Sequence, residues 1–108
     1  VVDDKVDEVK EDLQERKQKL LDDAQKQADR IKSEAKRGAD RVREEGEKAA
    51  QKVIDEAGNN PLKKAAAERA ADRIRKEANE KADKIEQEAN QRADNIMKQA
   101  QEQADRLE

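Results

Sequence analysis

The chain has 108 residues, 49% of them charged, with 25 basic against 28 acidic residues and a net charge of −3. It contains no Cys, His, Phe, Trp or Tyr, and only 32% of its residues are hydrophobic. That composition excludes a compact single-core globule and disulfides or thiolate metal sites. Because both signs are interspersed, it also excludes the clustered cation surface that holds a nucleic-acid backbone.

The first predicted element is a helix over residues 2–57. Its apolar residues recur in steps of 3, 4 and 4: Val2, Val6, Val9, Leu13, then Leu20, Ala24, Ala28, Ile31, Ala35, Ala39, Val42, Ala50, Val53 and Ala57, with only Lys17 and Gly46 breaking the series. One phrase marks the repeat, "ADRI" at Ala28–Ile31 and "ADRV" at Ala39–Val42. Eleven residues cover three turns, a period of about 3.67 residues, slightly above the 3.6 of a straight α-helix. The stripe therefore drifts opposite to a heptad stripe and predicts a right-handed or nearly straight supercoil. The lack of alternation and the Ala, Glu and Lys content exclude β structure.

The predicted turn is residues 58–60, in "EAGNNPLKK". Gly58 fits the left-handed residue just past a helix end. Asn60 is a good N-cap, and Pro61 suits the first position of the next helix, where no amide donor is needed. The second helix is predicted over residues 61–108, with the stripe Ala71, Ile74, Ala78, Ala82, Ile85, Ala89, Ala93, Ile96, Ala100, Ala104 and Leu107. So short a connection makes the two helices antiparallel neighbours. The fold expected is all-α: a long antiparallel two-helix hairpin, wound as a hendecad (11-residue) coiled coil.

In a tight hairpin, facing residues have numbers adding to about 120. Val53 then meets Ala67, Gly46 meets Ile74, Val42 meets Ala78, and Ala35 meets Ile85. Further out, Ile31 meets Ala89, Ala24 meets Ile96, and Leu20 meets Ala100, while Ala39 faces Ala82. Each large residue faces a small one, which lets the axes lie close. The predicted core is Leu20, Ile31, Ala39, Val42, Gly46, Val53, Ile74, Ala82, Ile85 and Ile96. Gly38 and Gly46 read as sites of close approach. Slipping one helix by a whole repeat preserves every large-to-small match, so the short loop is expected to select the register. Pairs such as Arg30–Glu34, Arg41–Glu45, Arg73–Glu77 and Lys84–Glu88 recur with the repeat and support each helix by about 0.2–0.5 kcal/mol apiece.

Some apolar residues lie off the stripe: Leu21, Ala49, Ile54, Leu62, Ala66, Ala70 and Met97. They have two readings. One is a locally widened core. The other, for Ala49, Ile54, Leu62, Ala66 and Ala70, is a patch through which two hairpins dimerise into a four-helix assembly.

Chemistry-bearing constellations are missing from the pattern. Ser33 is the only serine and has no His to activate it. The carboxylates alternate with Lys and Arg on a solvated face, and Gly58 is too isolated for a phosphate loop. No enzyme activity, cofactor, metal or small-molecule substrate is expected. No apolar run approaches the roughly 18 residues that span a bilayer, and the apolar face is too narrow and alanine-rich for a helix lying on lipid. A start at Val1 and a stop inside a repeat read as a segment of a longer protein.

The Ala-x-x-Ile-x-x-x-Ala repeat resembles known hendecad coiled coils. One such group is the peripheral-stalk subunits of rotary ATPases, whose long helices pair in parallel; the turn at Gly58–Pro61 departs from that pattern. Another is the helical tails of AsmA-like bacterial envelope proteins, which "ADRIRKEANEKADKIEQEA" and the "GNNPLKKAAA" turn resemble. Both resemblances imply a structural coiled-coil spacer or protein-interaction module, whose partners are copies of itself or neighbouring parts of its parent chain. The competing reading is a desiccation-protectant or lipid-surface segment, also built on 11-residue repeats, that stays disordered in buffer.

Overall fold

A computed structural model describes residues 2–107, with side chains from Val6 onward. Val2, in the predicted stripe, has its side chain outside that range, and Glu108 lies outside the described residues. The chain is an all-α helical hairpin. Helix α1 runs Val2–Ala57 and helix α2 runs Pro61–Arg106, with no strand among the described residues. The expected end of α2 at residue 108 moves inward: Leu107 donates its amide to the Ala104 carbonyl at 3.2 Å. That is the tighter i→i−3 bond with which helices commonly finish.

The turn is built as its residues dictate. Gly58 has φ of 61°, the left-handed conformation in which a Cβ would crowd the following carbonyl. Its amide closes α1 on the Asp55 carbonyl at 3.2 Å. The Asn60 Oδ1 accepts from the amides of Leu62 at 3.0 Å and Lys63 at 3.3 Å, satisfying two of the free donors at the start of α2. The Asn60 carbonyl accepts the first helical bond, from the Lys64 amide at 2.8 Å.

The hairpin divides into two compact units, each containing a piece of both helices. The turn unit is Ser33–Glu88; the terminal unit is Val1–Lys32 with Ala89–Glu108. The cuts fall at positions that the pairing rule places opposite each other.

In the turn unit the fully covered residues are Ala39, Gly46 and Ala50 on α1 and Ala67, Ala71 and Ala82 on α2. In the terminal unit they are Ala24 and Ala28 with Ala89, Ala93, Ala100 and Ala104. Among the described residues, every buried hydrophobic one is thus an alanine. The large members of the predicted core, Leu20, Ile31, Val42, Val53, Ile74, Ile85 and Ile96, are only half-buried. Geometry explains the difference. Two helices enclose just the narrow strip between their axes, where a methyl is covered on all sides. A longer side chain must leave that strip and lie along its edge, with one side in water. Buried and half-buried stripe residues still follow the 3, 4, 4 spacing from Leu13 to Ala57 and again from Ala67 to Leu107, with Lys17 half-buried among them.

Candidate functional site

Small side chains bring the backbones together, and the closeness is most visible at Gly46. A Cβ added there would overlap the Ala78 Cβ, with the Ala78 Cα at 3.9 Å and the Ile74 carbonyl oxygen at 4.0 Å. Gly46 therefore sits between Ile74 and Ala78, rather than squarely on Ile74 as the simple pairing rule has it. A small residue on one helix settles into the groove between residues i and i+4 of the other. Gly38 is different. It lies one position off the stripe, and a Cβ there would meet nothing within 4 Å. The close-approach reading holds for Gly46 and fails for Gly38.

Two arginines lace the helices on the edge of the turn unit's seam. Arg43 donates from Nη1 to Glu86 Oε1 at 2.8 Å and from Nη2 to Asp83 Oδ1 at 2.9 Å. Arg75 reaches the other way, from Nε to Glu47 Oε2 at 2.8 Å and from Nη2 to Glu47 Oε1 at 3.0 Å, a two-pronged fork. Each arginine also lies 3.4 Å from the Asp three residues before it, Asp40 and Asp72 respectively. The shared sequence is "DRVR" at Asp40–Arg43 and "DRIR" at Asp72–Arg75.

These cross-helix pairs were missed by looking only for charge pairs within one helix. The signal that finds them is the position just after each large stripe residue. From Leu20 to Ile96 it carries Leu21, Lys32, Arg43 and Ile54 on α1 and Arg75, Glu86 and Met97 on α2, and all but the exposed Lys32 are half-buried. One repeat position therefore forms the seam's edge, apolar in some repeats and ion-paired in others.

The fork shifts the ionisation of its members. The hydrogen bond from Arg75, helped by its charge and opposed by partial desolvation, holds the Glu47 carboxyl below its ordinary range. Hydrogen bonds to Glu86 and then Asp83 raise Arg43, and that to Glu47 raises Arg75. A carboxylate with a depressed folded-state pKa stabilises the fold above its unfolded pKa, and the contribution is lost as pH falls through the folded value. Carbon-detected NMR titration should therefore show Glu47 protonating at lower pH than an ordinary Glu. In Arg75→Lys, which has no planar fork, its midpoint should move back up. An unchanged midpoint would mean that the fork does not persist in solution.

The off-stripe residues separate. Ile54 and Ala70 lie half-buried at the seam, whereas Ala49 and Ala66 are exposed and Leu62 is 86% exposed. No group of three or more potential metal-ligating residues occurs among the described residues, and no helix is long and apolar enough to cross a membrane. Compared with known proteins, the chain matches no family model, no curated protein and no solved structure.

Proposed function

We propose that the chain is a non-catalytic structural spacer, a hendecad coiled coil whose supercoil is right-handed or nearly straight. The supporting observation is the alanine seam itself. Its buried and half-buried positions together recur at the same 3, 4, 4 steps in both units, so whole repeats are interchangeable and length is the property that their number sets. Of the resemblances noted above, that to the helical tails of AsmA-like envelope proteins accommodates a turn between helices. The Gly58–Asn60 cap and the cross-helix arginines favour a hairpin folded in plain buffer over a segment that orders only on drying or on lipid.

The test removes one repeat from each helix, Ala28–Gly38 together with Ala82–Arg92. Phase, layer matching and turn survive, and each helix shortens by about 16 Å. The shortened chain should keep a cooperative helical melt in lipid-free buffer. In the protein that carries it, activity should fall, then return when any other in-phase pair of repeats is inserted. Recovery that requires the original surface residues, whatever the length, would defeat the spacer reading.

A further inference from the structure

The repeat Ala28–Gly38 holds two residues that no other repeat of α1 has at those positions, Ser33 and Gly38. Ser33 is the only side chain in the sequence with a hydroxyl, since Thr and Tyr are absent. It is exposed, and its hydroxyl bonds to no described residue. Gly38 is half-buried, but an added Cβ would meet nothing within 4 Å. No close approach requires that glycine, and it weakens the helix locally relative to alanine.

The repeat shows what Ser33 replaces. Steps of eleven along α1 give Glu11, Asp22, Ser33, Glu44 and Asp55, four carboxylates and one serine. In the three middle repeats a cation follows four residues later: Lys26, Arg37 and Lys48. Acid before base at that spacing puts the two on one helix face in the more favourable order. At Ser33 the acid is missing, which leaves the exposed Arg37 without one four residues before it.

A serine becomes an acid in one step. Transfer of the γ-phosphoryl group of a nucleoside triphosphate forms a bond from Ser33 Oγ to phosphorus and breaks the bond to the leaving diphosphate. The hydroxyl proton passes to the base of the transferring enzyme. The product carries a charge of about −1.5 to −2 and three strong acceptor oxygens, where the neighbouring repeats have Asp22 and Glu44. To enter such an enzyme's cleft the segment must leave the helix, so α1 has to open locally first. Gly38 lowers the cost of that opening within the same repeat. Once open, "RIKSEAKR" offers Arg30, Lys32, Lys36 and Arg37 against Glu34 alone, a charge pattern that an acidic kinase groove selects.

We propose that Ser33 is the acceptor of a serine kinase, that Gly38 is the weak point through which the kinase reaches it, and that the phosphate completes the acidic series of α1 beside Arg37. The proposal goes beyond the spacer reading, and the two fail separately: a spacer depends on the number of repeats, this site on one of them.

The experiment treats the full chain with ATP and a purified serine kinase that selects basic substrates. With one hydroxyl in the chain, intact mass reads the outcome directly. It should show a single added phosphate, absent in Ser33→Ala. Gly38→Ala should slow incorporation about fivefold, because the helix around Ser33 opens less often. For a second readout, phosphoserine is installed genetically at position 33 in the parent and in Arg37→Gln. Phosphorus NMR titration should place the second ionisation of the phosphate at lower pH in the parent, where the neighbouring cation favours the charged form. No incorporation into the full chain overturns the proposal. So does an equal rate in Gly38→Ala, or a phosphate midpoint that ignores Arg37→Gln.

Discussion

Gly46→Ala should lower the melting temperature, and Gly38→Ala in the same helix should raise it. Both substitutions gain about 1 kcal/mol of helix propensity. At Gly38 that gain stands alone, because an added Cβ enters open space. At Gly46 the new methyl overlaps the Ala78 Cβ, an atom fixed to the backbone that cannot rotate away. The helices must part locally, and the Arg43–Glu86 and Arg75–Glu47 contacts, both at 2.8 Å beside this layer, must stretch. Overpacking of this kind costs about 1–3 kcal/mol, so the net loss should be up to about 2 kcal/mol. For a domain of this size, the two variants should melt roughly 10 °C apart. Paired thermal melts decide the matter. If both melt higher than the parent, the backbones are not in contact at Gly46.

The second expectation inverts the usual ranking of core mutations. Ala39→Leu, at a residue 0% exposed, should destabilise at least as much as Ile85→Ala. The added isobutyl group has nowhere to go between two axes held apart only by methyls, and the cost should reach the upper end of about 1–3 kcal/mol. Ile85 is half-buried, so truncating it forfeits only part of the roughly 1.5–3 kcal/mol of a fully buried side chain. It also leaves a notch open to water instead of a sealed cavity. Denaturant titrations of both variants give the comparison. An Ile85→Ala loss well above that of Ala39→Leu would show that the large residues, not the alanines, form the core.

How much of this was legible beforehand depended on the range of the physics involved. The helices and the turn follow from local rules: a fixed period, a glycine at a left-handed position, an asparagine cap and a proline after it. They could be read residue by residue. Depth along the stripe could not, because burial is a property of the pair. Ile74 and Ala71 belong to one pattern, yet only the spacing of the axes decides that the alanine is covered and the isoleucine lies at the edge. Gly38 and Gly46 look equally out of place in a helix, and what separates them is the atom opposite. Arg43 and Arg75 sit among many charges, and their importance emerges only when the partner helix brings Glu86, Asp83 and Glu47 within reach.

Those arginine pairs bear on an ambiguity built into any repetitive seam. Seen as apolar teeth, the two helices mesh equally well after sliding by one repeat. The charges tell the alignments apart. Sliding α2 one way sets Arg43 against Arg75, where Glu86 had been, and moves Arg75 from Glu47 to Lys36. Asp72 still reaches Arg43 in place of Asp83, but the two-pronged Arg75–Glu47 fork is lost and the two arginines are brought together. Sliding it the other way carries Arg75 level with Gly58, past the end of α1. Solvent-exposed ion pairs add little to stability when correctly made, but opposed like charges penalise the wrong alignment. The arginines thus serve as a parity check on the hairpin: the alanines let the helices mesh, and the charges verify the count.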